Sequence, residues 1–194
     1  MDASVAVNIL SDPYATGGTG YGGSGGGFIA NFSVDFPAPV GAQNFSEYLI
    51  WCIDAGRGVN LPSTVNYQLY TLADFAAPGT RGSVTGHNPD LGDMSRIASL
   101  QSALFGGWSG NAATRNDMQG AIWSWFDGYT TYGGSNAQPA ILAGDPYFNV
   151  SEYYVLWNGE NQTFLTKIPE PSSTLLAFAG LGALLIVSRR RRIS

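Results

Sequence analysis

Cys52 is the single cysteine of this 194-residue chain, set in the run Ile50-Trp51-Cys52-Ile53-Asp54. Without a second cysteine there is no internal disulfide, so the thiol is either a small buried hydrophobe or a nucleophile put to use. A cysteine attacks as the thiolate, and with an ordinary pKa of about 8.5 it needs activation. His87, the single histidine, lies in a loop-like run with Asp90 and Asp93. Such a group can serve as a base or a metal ligand, but a lone loop histidine is more often solvated surface. Ser-His-Asp catalysis would have to use it, and no Gly-x-Ser-x-Gly elbow is present. Asp90, Asp93 and Ser95 lack the spacing and closing glutamate of a calcium-binding EF-hand loop. The glycine-rich run from Thr16 to Gly27 lacks the Lys-Ser/Thr ending of a phosphate loop and reads as a long surface hairpin. No cofactor and no metal site is expected, and the chain does not read as an enzyme.

Strands at the two ends and helices between them must position these groups. Ala3 to Leu10 reads as a first strand. Phe28 to Phe36 alternates, so that Phe28, Ala30, Phe32, Val34 and Phe36 can share a face. Ser46 to Asp54 is a further strand, in which Cys52 points away from the face of Trp51 and Ile53 and the thiol is flanked by Asp54. Thr64 to Leu72 reads as a strand that turns into loop. Asp93 or Ser95 can cap a helix whose face carries Ile97, Leu100, Ala103 and Leu104. Thr114 can cap a second helix with two neighbouring stripes. One is Met118, Ile122 and Trp125; the other is Gln119, Trp123 and Phe126. Two strands close the domain, Ser151 to Gly159 and Gln162 to Ile168, with Asn158-Gly159-Glu160-Asn161 as turn residues.

Two of these segments carry a resemblance. Ile-Trp-Cys-Ile-Asp and Met-Gln-Gly-Ala-Ile-Trp-Ser-Trp-Phe resemble the two signatures of bacterial thioester domains. Those surface domains have an aromatic-Cys-aliphatic-Asp strand and a Thr-Gln-x-Ala-Ile-Trp helix start. The resemblance spans Glu47 to Asp127. It implies that the Cys52 sulfur bonds to the side-chain carbonyl of Gln119 with loss of ammonia, and that Ala121, Ile122 and Trp123 are the packing triplet after the glutamine. Met118 stands where threonine is usual. An amide is a poor electrophile, so the fold has to hold sulfur and carbonyl together, an arrangement worth up to about 7–11 kcal/mol. With Thr114 as the cap, Gln119 would lie near a helix N-terminus whose donors and dipole stabilise the oxyanion. Trp123, with Trp51 or Trp125, would exclude water, and Asp54 would orient the site. An amine reaching the thioester would become covalently attached, because thiolate is a better leaving group than ammonia. Replacing Gln119 is expected to leave a readily alkylated thiol.

The C-terminal run has three parts. Pro169, Glu170 and Pro171 come first, then the uncharged stretch from Thr174 to Val187, then Arg189, Arg190, Arg191 and Arg192. The prolines keep a helix from extending backwards, so one is expected to start near Ser172 or Ser173. From there to Ser188 it would be about 25 Å long, slightly short of a hydrocarbon core of about 30 Å. The arginines would stop translocation and stay cytoplasmic. This order resembles the PEP-CTERM sorting signal, whose partner is the membrane protease-transpeptidase exosortase. The resemblance implies export to a bacterial cell surface or extracellular matrix, with the helix holding the chain in the membrane at least transiently. The first ten residues lack a basic region and a long apolar run, so they are not a signal peptide. The leader that export requires is therefore expected upstream.

All fourteen acidic residues precede Ser172 against five basic ones, and the four arginines follow it. A domain that acidic has little attraction for nucleic acid. Twenty-six glycines, with five Trp, ten Tyr and ten Phe, suit an extracellular β-rich domain. The expected fold is α+β, mostly β: a β-sandwich or barrel-like thioester domain over residues 1–166 with an inserted two-helix portion. A Pro-Glu-Pro stalk (167–173) and a C-terminal transmembrane sorting helix with its Arg-rich cytoplasmic tail (174–194) would follow. The expected function is that of an exported adhesin or matrix-attachment protein bonding to amines of a surface or matrix partner. The alternative is a non-covalent structural or exopolysaccharide-associated envelope protein with a degenerate thioester site.

Overall fold

The computed structural model describes residues 3–16, 25–33, 48–79, 81–82, 85–105, 112–128 and 142–168. Period-two alternation organises the strands. The strands are β1 (Ala3–Thr16), β2 (Gly25–Ser33), β3 (Tyr48–Cys52), β4 (Ser63–Thr71), β5 (Tyr153–Trp157) and β6 (Phe164–Lys167). Every pairing is antiparallel, and the order β1-β2-β3-β6-β5-β4 closes into a barrel as β4 returns to β1. Register shifts between Ile9 and Ser11 and between Ser11 and Tyr14 bend β1, as bulges do where a sheet must curl.

Alternation gives the sheet two apolar faces. Val5, Val7, Phe28, Ile50, Leu156 and Phe164 fill the lumen. Trp51, Ile53, Tyr70, Tyr153, Val155 and Leu165 face outwards into a second apolar layer. Three helices between β4 and β5 cover that outer layer: α1 (Leu72–Ala76), α2 (Leu91–Phe105) and α3 (Ala112–Asp127). Phe164 centres the lumen, with its ring edge-on to Phe28 at 5.4 Å and to Tyr67 at 5.9 Å between centroids.

The mostly-β expectation is met, and of the sandwich or barrel-like sheet expected it is the barrel that forms, with three helices where two were expected. The extra one, α1, has five residues, too few to display a helical period. Its cap is nonetheless well made: Asp74 N donates to Thr71 Oγ1 at 3.0 Å, and Leu72 and Phe75 are buried. Helix α2 starts before the expected caps. Asp90 caps it reciprocally with Asp93, Asp93 N donating to Asp90 Oδ1 at 2.9 Å and Asp90 N to Asp93 Oδ2 at 3.2 Å. Ser95 lies inside the helix, its hydroxyl on Leu91 O at 2.8 Å. Ile97 and Leu100 are buried and Leu104 is half-buried, but Ala103 is exposed; Met94, Ala98 and Gln101 complete the inner face. Helix α3 begins at Ala112, so Thr114 is not its cap. Val34 and Phe36 lie outside the described residues. So does the tail from Pro169 onward; among the described residues no helix is long and apolar enough to cross a membrane.

Two outcomes follow from this packing. Phe164→Ala empties the lumen centre and should cost about 3–5 kcal/mol, read as a lower urea midpoint with unchanged slope. All six strand ladders close by Lys167, so deleting Ser172 onward should leave the thermal midpoint unchanged; a fall of several degrees would make the tail part of the fold.

Candidate functional site

Cys52 is the last residue of β3, and the alternation at this point divides two adjacent residues. Trp51 faces the helical layer and Cys52 faces the lumen, as the sequence indicates. Gln119 and Trp123 are four residues apart on α3 and so share a face. They meet β3 together. Gln119 Nε2 donates to Cys52 O at 2.9 Å, Trp51 Nε1 makes a short hydrogen bond to Gln119 Oε1, and Trp123 Nε1 donates to Cys52 Sγ at 3.3 Å. The thiol itself donates to Asp54 O at 3.5 Å. Gln119 is 0 % exposed and Cys52 2 %. The two residues paired by resemblance are thus neighbours, with one indole donor on the sulfur and another on the carboxamide oxygen.

Helix α3 does not supply that donor in the expected way. Gln119 lies well inside α3, beyond the first-turn N–H groups that its own helix leaves unbonded. The indole of Trp51 polarises the carbonyl instead. A hydrogen-bond donor aimed at an acyl oxygen in a dry site is the essential part of an oxyanion hole. Trp51 was expected only to exclude water.

Burial pushes the Cys52 thiol up to about 12; the Trp123 hydrogen bond acts against this, and the charges of Asp54 and Asp127 add to it. The thiol is therefore neutral near pH 7, and sulfur can attack only as its proton leaves. In the intact site the group is both buried and protonated, which opposes alkylation.

Asp54 meets the sulfur through its main-chain carbonyl. Its carboxylate accepts from Gly56 N at 2.9 Å, Arg57 Nη1 at 2.8 Å and Thr163 Oγ1 at 3.1 Å. Burial holds that carboxyl above the usual range, with the Arg57 charge opposing. Only its main-chain carbonyl meets the sulfur, and Gln162 Nε2 also donates there. Arg57 ties the turn further to Gly82 O and Thr163 Oγ1, and Asp127 Oδ2 receives Ala55 N at 3.0 Å. Arg57, Asp127, Gln162 and Thr163 carry no motif, and their only sequence signal is the Asp54–Arg57 spacing of opposite charges.

Ala121 and Ile122 pack in the helical layer, and Trp123 is the packing residue that enters the lumen. Met118, at the position where threonine is usual, is fully buried in the helical layer. Trp125 does not guard the sulfur; its indole donates to Leu142 O at 3.3 Å and lies under Arg96 at 4.7 Å. His87 closes α3 instead of forming a site: Nδ1 bonds Phe126 O at 3.0 Å, while Thr85 Oγ1 donates to Asp127 O at 2.7 Å. Gly128 there has φ +73°, and a Cβ on it would come within 2.7 Å of the His87 ring. Among the described residues no group of three His, Cys, Asp or Glu side chains could hold a metal.

The sorting residues Pro169, Glu170, Pro171 and Arg189 to Arg192 lie outside the described residues. No curated protein and no solved structure matches the chain. Residues 167–192 match the PEP-CTERM protein-sorting motif, a match that starts on the last residue of β6. The chain is accordingly an exported protein sorted to the cell surface by exosortase.

Proposed function

We propose that this protein is a surface-displayed adhesin or matrix-attachment protein that bonds covalently to amines through a Cys52–Gln119 thioester. The observation that carries the reading is the grip of Trp51 and Cys52 on the Gln119 carboxamide, with Trp123 on the sulfur. In the forming step the Cys52 Sγ–Gln119 Cδ bond is made and the Cδ–Nε2 bond is broken. The thiol proton leaves with the nitrogen as ammonia. In the using step an amine nitrogen bonds to Cδ and the sulfur departs as a thiol. Each chain reacts once, so the protein is a stoichiometric coupler and not an enzyme. Burial supports the reading, because water hydrolyses an exposed thioester. Lys167, the single lysine, is held by Glu152 at 2.9 Å, so the domain's own amine is already engaged. In this reading the tail serves as a membrane-spanning helix until exosortase acts, and the partner is an amine on a surface or in the matrix.

A second reading has its own support. Gln119 is fully buried with both side-chain atoms hydrogen-bonded, which equally suits a rivet between α3 and β3. The protein would then be a non-covalent structural component of the envelope or exopolysaccharide layer. Intact mass separates the two: a deficit of one ammonia supports the coupler, and the full sequence mass leaves the rivet.

Methylamine should label Gln119 and free Cys52, as peptide mapping would read. Cys52→Ala should abolish labelling with little effect on folding. Gln119→Ala should abolish it too, while leaving a thiol that alkylates slowly until the chain is unfolded. Trp51→Phe removes the donor on the acyl oxygen and should slow methylamine labelling by about 10²–10³; a rate equal to wild type would dismiss the oxyanion role.

A further inference from the structure

The strand order sets β3 and β4 on opposite sides of the barrel, three places apart in a ring of six. They are nonetheless consecutive in the chain. β3 finishes at Cys52 and β4 starts at Ser63, and the antiparallel ladders put both points at the same end. Residues 53–62 must therefore cross the barrel mouth. Cys52 points into the lumen from the last residue of β3, so its sulfur lies just under this crossing. Ala55 and Val59 of the crossing pack on the lumen cluster that contains Cys52. The crossing has two unlike halves. Asp54 to Arg57 is pinned to Thr163, Gly82 and Asp127. Gly58 is tied only by its carbonyl, which accepts from Gln162 N at 3.3 Å, and a Cβ on it would meet nothing within 4 Å. Among the described residues Val59, Asn60, Leu61 and Pro62 make no hydrogen bond. Val59 is half-buried and the other three are exposed. A segment held by apolar contact alone opens at lower cost than the sheet around it.

A buried thioester has to be reached by its amine. We propose that residues 58–62 are the gate through which an amine on an unbranched methylene chain reaches Cys52 and Gln119. The inference rests on the thioester reading and adds to it the side of approach and the class of amine. Below the sulfur the lumen is filled by Phe28, Tyr67 and Phe164, packed edge to face. Lifting the gate therefore uncovers the top of the lumen and no more. A slender alkyl amine passes such an opening, whereas an amine set directly on a sugar ring does not. The direction is fixed by β6. That strand runs from Phe164, the cross-strand partner of Cys52, to Lys167, where the sorting motif starts. The tail thus follows from the opposite mouth, and the gate faces away from the membrane that the tail addresses. The amine belongs to a surface or matrix facing the cell, and not to the aminophospholipids of that membrane.

The test uses the full chain in detergent. Gln119→Ala leaves Cys52 a thiol whatever the wild type carries. Adding Val59→Gly to it should raise the rate of iodoacetamide alkylation about tenfold, because local opening becomes easier; an unchanged rate overturns the gate. In the wild-type background Val59→Gly should speed cadaverine labelling by a similar factor and admit glucosamine. Glucosamine should not label the wild type, and if it does the amine class is overturned. Gly58→Ala has room for its Cβ but stiffens the hinge. It should slow both reactions, and it decides the matter if Val59→Gly fails to fold. Thr71→Ala is the control, since it removes the cap of α1 at the other end of β4. It should lower the thermal midpoint and leave both rates unchanged; an acceleration equal to that of Val59→Gly would mean general loosening and overturn the gate. Chains held by their tail in phosphatidylethanolamine vesicles should take up cadaverine and form no lipid adduct, and an adduct overturns the direction. A wild-type chain of full mass overturns the thioester reading and the amine class with it, while the alkylation rates still judge the gate.

Discussion

One carboxamide ties the inserted helices to the barrel at its most sensitive point. Gln119 donates to the main chain of Cys52 and accepts from the side chain of Trp51, so α3 is registered against two consecutive residues that face opposite ways. An amide buried without partners would cost several kcal/mol. The pairing therefore fixes where α3 lies along β3 far more sharply than apolar contact can. Once α3 is registered, Trp123 is carried one turn further to the sulfur. The barrel end, the helix and the thiol depend on that one register.

The turn after β3 completes the frame from the other side. Asp54 and Arg57 form a buried ion pair at 2.8 Å, with side chains 0 % and 10 % exposed. Such pairs repay their desolvation poorly unless further hydrogen bonds satisfy them, and here Gly56, Thr163 and Gly82 do so. Its value is positional. The turn carries Asp54 O to the sulfur and Ala55 N to Asp127 at the end of α3. Helix α3 is thus held against the barrel near its middle and at its C-terminus, where Thr85 and His87 also bind it.

Much of this was legible in the sequence because it is periodic. The opposite facing of Trp51 and Cys52 follows from strand alternation, and the two stripes of α3 follow from helical spacing; both describe what Met118, Ile122, Gln119 and Trp123 do. The pairing of Cys52 with Gln119 required a resemblance, since no local pattern joins two positions brought together only by tertiary packing. Boundaries failed where the signal was a single residue. Asp90 competes with Asp93 and Ser95 as a cap, and all three are plausible acceptors until the backbone decides. Helix α1 was too short to show a period. His87, read as a solvated loop residue, is instead a helix stop, its ring on Phe126 O. Barrel closure was not legible either, because β1 pairing with β4 and β3 with β6 is a matter of topology.

The hydrogen bonds of Gln119 also bear on why an amine, and not water, would be the natural partner of the proposed thioester. When the Cδ–Nε2 bond breaks, Cys52 O loses the donor that held it, a loss worth about 0.5–1.5 kcal/mol for an ordinary hydrogen bond. The Trp51 donor is kept, because the acyl oxygen stays. Attack by a primary amine rebuilds an amide whose N–H can again face Cys52 O, so the product regains both interactions. Attack by water leaves a carboxylate, which sets an acceptor against an acceptor in a site where an unpaired charge is costly. The same two hydrogen bonds that register α3 on β3 would thus favour the restored amide over the hydrolysed acid. A rivet evolved only for stability and a site built to exchange one nitrogen for another would use the same atoms, and they differ in whether the chain has lost an ammonia.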